Sequence, residues 1–549
     1  ATWHDADRLE ATFSQYDKHN ALKHNRNRWP LTYAMDPLVR MNLWPIFGSK
    51  GILSSDELAG FLHNPWRTTT LVKMDLNTSR TEPAAPGLTL FEPGRVYFGM
   101  NHHRDGSEPI SVPWADFQHH SMICGMSGAG KTTLLKHIIL QWIDSGEPGA
   151  PWGACFIEPH GDASRELLMS IPKRSIDRVL YLDPSDEEQS LAFNPLNYRE
   201  LMSYNHIRDT VIAAFKSIWE LSPEMANLMM YLPRTMDVLA RVDGAHFGWV
   251  RPFITNPDFR RKILFSLGDQ EAIQFWDYYT HKTKKNREEE TRSLLNRIDS
   301  FTMDSRLKRI FCQGESKLDF RSIMDEGKIL ICNFGDSNSG PINKRLLGNL
   351  FASYFHQACQ VRNPERRPFL IAIDECSEYI SETLASVLSQ DRKFGIALSL
   401  SFQYMDQVKE LIGAIKGNTT TRISFQIGEE DAESLATLFT SSSEPEEVRR
   451  RADDLMNLDR FQGFLKSTVK GRPEPPTTFS LTPPINKVHW QNDELSTIKT
   501  HKVLCRPVAQ VDQEIETFVN STAYIEADEE DEVVKTPNDF AKGDVAAGE

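Results

Sequence analysis

Ser121-Met122-Ile123-Cys124-Gly125-Met126-Ser127-Gly128-Ala129-Gly130-Lys131-Thr132-Thr133-Leu134-Leu135-Lys136-His137-Ile138-Ile139-Leu140 decides the fold. Four residues that suit a buried strand lead into a glycine-rich stretch, and apolar residues at helical spacing follow. Residues 125–132 match GxxxxGK[ST], the phosphate loop of P-loop nucleotidases. Average residue usage yields that pattern by chance in roughly one chain in fifty of this length. The strand before it and the helix after it therefore carry the identification. Glycines let the backbone turn its N–H groups toward phosphate oxygens, and a helix N-terminus adds a favourable dipole. The nucleotide-binding candidates are Gly125, Ser127, Gly128, Ala129, Gly130, Lys131, Thr132 and Thr133. Lys131 is expected to reach the β- and γ-phosphates of ATP, and the Thr132 hydroxyl to ligate Mg²⁺.

Outward from this loop, short apolar runs alternate with helical stretches. Strands are expected near 120–124, 153–158, 178–182, 328–334, 368–374, 396–402 and 421–427. Such alternation predicts a parallel, doubly wound α/β sheet. From about 200 to 325 the apolar spacing is instead helical, as in Ile207–Trp219, Glu271–Tyr279 and Arg292–Phe301, which predicts an all-α insertion. A last strand is expected over Phe461–Val469, before a Pro-rich stretch. Residues 1–115 read as an N-terminal docking or accessory region, with a helix start signal in 51–62. The P-loop domain takes 116–200 and 326–484, the insertion 201–325, and a C-terminal extension 485–549, whose acidic end is expected to be disordered.

Pro368–Ile373 is an apolar strand ending in Asp374-Glu375. A P-loop enzyme needs a strand-end carboxylate to hold Mg²⁺, and Asp374 fits. A neighbouring carboxylate can orient and deprotonate the attacking water, and Glu375 fits that. The next strand, Ile396–Phe402, ends at Gln403, suited to sensing the γ-phosphate or positioning water. Between the two strands lies Arg392, which in a ring assembly can reach a neighbour's γ-phosphate.

Composition limits the remaining choices. The 549 residues are 40% hydrophobic, 25% charged and 10% aromatic, ordinary values for a globular chain. No run approaches the length of a membrane span, and the polar first residues predict no signal peptide. The net charge is −14, but residues 526–549 alone carry nine acids and two bases. A mildly acidic body can still hold a basic channel, so net charge does not exclude nucleic acid. Seven cysteines without a CxxC pair predict buried free thiols rather than a metal site. For nucleic-acid contact the basic run His281–Arg287 offers Lys282, Lys284, Lys285 and Arg287. Arg306, Lys308 and Arg309 form a second cluster, and Arg260, Arg261 and Lys262 a third. No base-reading motif is visible, so any DNA contact is expected to be sequence-nonspecific.

An ordered set of segments adds a family resemblance: Leu53-Ser54-Ser55-Asp56-Glu57-Leu58-Ala59, the P-loop, Glu158-Pro159-His160-Gly161-Asp162, Asp183-Pro184-Ser185-Asp186, Phe193-Asn194-Pro195-Leu196, Arg392-Lys393-Phe394-Gly395 and Phe402-Gln403. Together they resemble the FtsK/HerA superfamily of ring-shaped DNA-pumping ATPases. More closely they resemble the TraD/TraG-type conjugative coupling proteins and their type IV secretion DNA-binding domain relatives. The resemblance implies a RecA-like P-loop motor domain with a parallel-rich sheet and an inserted all-α subdomain. It implies a homo-hexamer with a central DNA channel, relaxosome or secretion-channel partners, and a cytoplasmic location, peripheral to the inner membrane through such partners. It also implies Lys131, Asp374, Glu375, Gln403 and Arg392 in the roles argued above. Two features depart from the family: Glu158 stands where relatives have Asp, and the membrane helices that open many coupling proteins are missing from this sequence. The expected activity is ATP hydrolysis coupled to DNA translocation. A motor for protein substrates and a nucleotide-dependent assembly module that recruits a partner enzyme are the alternatives.

Overall fold

The computed structural model describes residues 81–522, apart from 105, 148, 198–202, 220–224, 336–340, 364–365, 381, 441–443 and 482–502. The expected helix start at 51–62 and the acidic end lie outside the described residues. Eleven strands form one sheet. In chain order they are β1 (Arg95–Asn101), β2 (Glu108–Pro113), β3 (Ser121–Cys124), β4 (Gly153–Glu158), β5 (Val179–Leu182), β6 (Ile329–Asn333), β7 (Phe369–Ile373), β8 (Ile396–Phe402), β9 (Thr421–Ser424), β10 (Gln462–Lys466) and β11 (Thr477–Leu481). Across the sheet they run β2-β1-β11-β10-β9-β3-β8-β7-β4-β6-β5. From β9 to β5 all neighbours are parallel, and from β2 to β9 all are antiparallel. The fold is thus the α/β, parallel-rich sheet that the strand–helix alternation predicts.

The parallel strands are apolar on both faces because both faces are covered. All seven residues of β8 are buried. Along β7, Leu370 and Ala372 enter one core while Phe369, Ile371 and Ile373 enter the other, the two-residue alternation of a pleated strand. One core is closed by the helix Lys131–Ile143, through Leu134, Leu135, Ile138 and Trp142. The other is closed by the helix Pro341–Gln360, through Leu346, Leu350, Tyr354 and Phe355. The few polar side chains at the sheet's centre pair with each other, as Ser121 Oγ does with Ser399 Oγ at 2.6 Å. All seven cysteines are buried and free.

One expectation needs correcting at its boundary. β1 and β2, within the stretch read as a separate N-terminal region to residue 115, extend the same sheet, and so does β11 in the Pro-rich stretch. These strands are short and antiparallel, and they pair across most of the chain, Gly99 opposite Leu481. Local sequence carries little trace of such pairing.

Between β5 and β6 come eight helices among the described residues, from Tyr204–Trp219 to Phe320–Asp325. Several start at a side chain that accepts the first free amides: Asn256, Asp269, Asp304 and Asp319. Each such cap contributes about 1 kcal/mol. Trp276 is 1% exposed and meets Phe253 edge to face at 4.8 Å. It is a core residue, with no ring face open for a base to stack on.

The described part of the C-terminal extension docks on this helical layer. Cys505–Pro507 pairs antiparallel with Gln189–Leu191, and the helix Val508–Thr522 follows. Val511 and Ile515 pack on Cys312, Phe518 stacks on Trp249 at 5.6 Å, and Arg309 grips both oxygens of Asp512 at 2.8 Å. Val511→Asp puts a carboxylate where Val511 is fully buried, at a cost of about 3 kcal/mol. Undocking relieves that cost. Hydrogen exchange over 508–522 is therefore expected to lose its protection while the sheet keeps its own.

Candidate nucleotide site

β3 lies between β8 and β9, and the chain winds outward from it in both directions. The crevice at the C-terminal ends of such strands is where open α/β sheets bind ligands, and the phosphate loop occupies it. Gly128 has φ 74° and Gly130 φ 128°, both in the region that favours glycine. A Cβ on Gly130 would come within 3.0 Å of the Phe461 ring. The loop is held from below: Met126 N–H donates to Gln426 O at 2.8 Å, and Gly125 N–H to Phe402 O at 3.3 Å. The amides of Gly128, Gly130 and Lys131 donate to no backbone carbonyl among the described residues. Those donors, followed by the helix that begins at Lys131, form a cradle fit for phosphate oxygens.

Lys131 is 6% exposed, and its ammonium donates to Gly125 O at 2.7 Å and Met126 O at 3.1 Å. Burial lowers its pKa, opposed by Asp374, Cys124 and Glu375. The positive charge is thus poorly solvated beside the cradle, and an anion there would stabilise it. Thr132 Oγ1 donates to Asp374 Oδ2 at 2.6 Å. The second Asp374 oxygen accepts from Ser401 Oγ. Hydroxyl and carboxylate together form an oxygen set of the kind Mg²⁺ takes.

Glu375 stands next to this pair, at φ 49°, a left-handed conformation uncommon for a residue with a side chain. One carboxylate oxygen accepts from Gln403 Nε2 at 2.8 Å, the other meets His160 Nε2 at 2.6 Å. The strand ends of β3, β4, β7 and β8 therefore bring Thr132, His160, Asp374, Glu375 and Gln403 into one connected group. Thr133 continues the helix one residue beyond Thr132.

Glu158, the departure from the family pattern, is 2% exposed. Its carboxylate accepts the amides of His160 at 2.7 Å and Gly161 at 2.7 and 2.8 Å, and the Ser164 hydroxyl at 3.1 Å. Burial raises its pKa, and those hydrogen bonds oppose the rise. Glu158 shapes the loop after β4; it does not touch Thr132 or Asp374.

Arg392 lies at the other edge of the sheet. It is exposed in the turn Asp391–Phe394, before β8 begins, whereas the phosphate loop follows the far end of β3. The length of β8 alone is about 20 Å. Arg392 donates to His119 Nε2. Burial, then the Arg392 charge, lower the His119 pKa and favour the neutral, accepting ring. The turn is fixed from behind, where His356 Nδ1 meets both oxygens of Asp391 at 2.8 and 2.9 Å.

Within the basic run 281–287, Lys282 and Arg287 turn inward. Lys282 pairs with Glu290 at 2.7 Å, and Arg287 donates to Lys282 O at 2.7 Å and Thr280 O at 3.0 Å. Lys284 and Lys285 are exposed at the start of the helix Lys284–Thr302. In the other clusters Arg260 is 3% exposed and bonded to Phe253 O and Ile254 O, and Arg309 is held by Asp512.

Ser401, Arg460 and Phe461 lie in no motif, and His160 lies in a segment of the resemblance without a role read for it. His160 and Ser401 touch Glu375 and Asp374 as described. Arg460 Nε donates to Gly128 O at 3.0 Å, and Phe461 N–H to Ala129 O at 3.0 Å. Only the strand ends of β4 and β8 hinted at the first two. Arg460 and Phe461 precede β10, whose place in the sheet the sequence does not reveal.

By sequence the chain matches no protein-family model and no curated protein. Solved structures do match. The bacterial conjugative coupling protein TrwBdeltaN70, in an unbound monoclinic form, aligns with a TM-score of 0.53 at 16% identity, over 73% of this chain and 92% of its own. The plasmid coupling protein TrwB in complex with ADP and Mg²⁺ aligns with a TM-score of 0.52 at 14% identity, over 74% and 95%. TrwB with the non-hydrolysable GTP analogue GDPNP aligns with a TM-score of 0.52 at 14% identity, over 70% and 90%. No helix among the described residues is long and apolar enough to cross a membrane. The α/β sheet with its phosphate loop at the switch point, and the helical layer inserted beyond β5, give this chain the fold of the conjugative coupling protein TrwB.

Proposed function

We propose that this chain is an ATP-driven motor of the coupling-protein kind, which hydrolyses ATP to move DNA through the centre of a homo-hexameric ring. One observation carries the reading. Thr132 donates to Asp374, Gln403 to Glu375, and the Glu375 amide to Asp374 Oδ1 at 3.2 Å, so the four form a single hydrogen-bonded group beside the phosphate cradle. That group contains the parts of a hydrolytic P-loop site: an oxygen pair for Mg²⁺, a carboxylate for water and an amide for the γ-phosphate. The complexes of TrwB with ADP and Mg²⁺ and with a GTP analogue support nucleotide in this fold.

In this reading Lys131 and the amides from Gly125 to Thr133 hold the phosphates. Thr132 and Asp374 hold Mg²⁺, which when bound neutralises phosphate charge. Glu375 orients water and accepts its proton, while Gln403 contacts the γ-phosphate. Arg392, at the opposite edge from its own phosphate loop, serves the nucleotide of the next subunit. Lys284 and Lys285 are exposed and are the members of their cluster offered to DNA phosphates. Relaxosome or secretion-channel proteins would supply the sequence choice that this chain lacks.

The test is ATP turnover by the purified chain with and without DNA. DNA is expected to stimulate the rate. Lys284→Glu together with Lys285→Glu is expected to weaken DNA binding on every sequence and to lower its salt dependence. A rate indifferent to DNA would instead favour a protein-substrate motor. Tight ATP binding without turnover would favour an assembly module.

A further inference from the structure

We propose that His160 is a positioning residue for Glu375, presented by a loop built for that purpose; the inference rests on the hydrolytic reading above. The segment Glu158–Asp162 lies outside the phosphate loop and does not touch Thr132 or Asp374, yet its backbone is braced from several sides. Glu158, buried at the end of β4, accepts the amides of His160 and Gly161. From the other side, Lys344 Nζ donates to Pro159 O at 3.1 Å and to Gly335 O at 3.3 Å. Gly335 passes so close that a Cβ there would lie 1.8 Å from His160 C and 2.0 Å from His160 O. Three elements thus fix the backbone of a residue whose own ring is 66% exposed. Core packing does not account for that bracing.

Among the described residues the ring's one polar contact is with Glu375. An ionised carboxylate only accepts, so at 2.6 Å the Nε2 atom carries the proton and donates. Glu375 comes off β7 in a left-handed backbone conformation, which does not by itself aim the side chain. Gln403 holds one oxygen and His160 the other. Each oxygen keeps a further lone pair for water. Gln403 has a second task at the γ-phosphate, so His160 is the contact that stays with the base when Gln403 turns away. The Glu158 carboxylate reaches three donors, the His160 and Gly161 amides and the Ser164 hydroxyl, and so holds the loop at the end of β4.

The experiment is steady-state ATP hydrolysis by the full chain in the presence of DNA, with nucleotide affinity measured separately by a fluorescent ATP analogue. His160→Ala is expected to lower kcat by about 10- to 100-fold and to leave KM, analogue affinity and Tm unchanged. His160→Gln is expected to recover part of kcat, because its amide nitrogen sits four bonds from Cα, as Nε2 does. Gly335→Ala is expected to imitate His160→Ala without altering any side chain that touches Glu375. Wild-type kcat in His160→Ala overturns the inference alone, as does a loss that His160→Gln fails to recover. A wild-type chain that turns over no ATP overturns the hydrolytic reading and this inference with it.

Discussion

Lys131→Ala is expected to remove ATP turnover almost completely, by at least about 100-fold, or ~2.7 kcal/mol of transition-state stabilisation. Lys131 is the ammonium inside the phosphate cradle, and burial has already stripped much of its water. That makes its charge available to phosphate at little further desolvation cost. Alanine also frees Gly125 O and Met126 O from their donor, so the loop loses its internal tie as well as its cation. Nucleotide affinity and kcat should therefore fall together. Equilibrium binding of a fluorescent ATP analogue beside steady-state hydrolysis separates the two. Full binding with lost turnover would move Lys131 from ground-state to transition-state contact alone.

Glu375→Gln should divide them differently. The amide keeps the size of the carboxylate, and its oxygen can still accept from one of His160 and Gln403, while its nitrogen bonds the other only if that partner turns an acceptor toward it. What is lost is the group that accepts a proton from water. Turnover is expected to drop by about 100-fold or more, while ATP binding and any nucleotide-dependent assembly survive. Quantifying phosphate release and subunit association in the same variant checks this. Undiminished phosphate release would remove Glu375 from the chemistry and leave Asp374 as the one acidic group beside Mg²⁺.

Most of the seven parallel strands were legible as apolar runs bounded by polar or glycine residues; Thr421–Ser424, with one apolar residue in four, is the exception. Those expected near 153–158, 368–374 and 396–402 span Gly153–Glu158, Phe369–Ile373 and Ile396–Phe402. The antiparallel half was less legible. Arg95–Asn101 holds a glycine and a bulge, Glu108–Pro113 holds two prolines, and Thr477–Leu481 follows a proline pair. Local propensity says little there; partners hundreds of residues away decide. In the site, Lys131, Asp374, Glu375 and Gln403 stood out because phosphate chemistry demands those types at loop and strand ends. Their mutual contacts depend on register, with Ile373 opposite Leu400, and that is also what brings Ser401 to Asp374. His160 required knowing that β4 and β7 are neighbours. The basic run 282–287 looked uniform in sequence, yet Lys282 and Arg287 turn inward to Glu290 and to backbone carbonyls. Period alone cannot assign such partners.

The bracing of the phosphate loop by Arg460 and Phe461 bears on how the molecule is made. Arg460 reaches Gly128 across 332 positions of sequence. At ribosomal speed that interval lasts about 15–65 s. For that time a nascent chain carries the complete GxxxxGKT sequence without Arg460 and Phe461 to brace it. β3 alone is four residues long and gains both parallel neighbours only after residue 424 has emerged. ATP therefore cannot template early folding of this protein. Long loop closures set the pace instead, and a fully braced phosphate loop becomes a mark of chains that have been synthesised through Phe461.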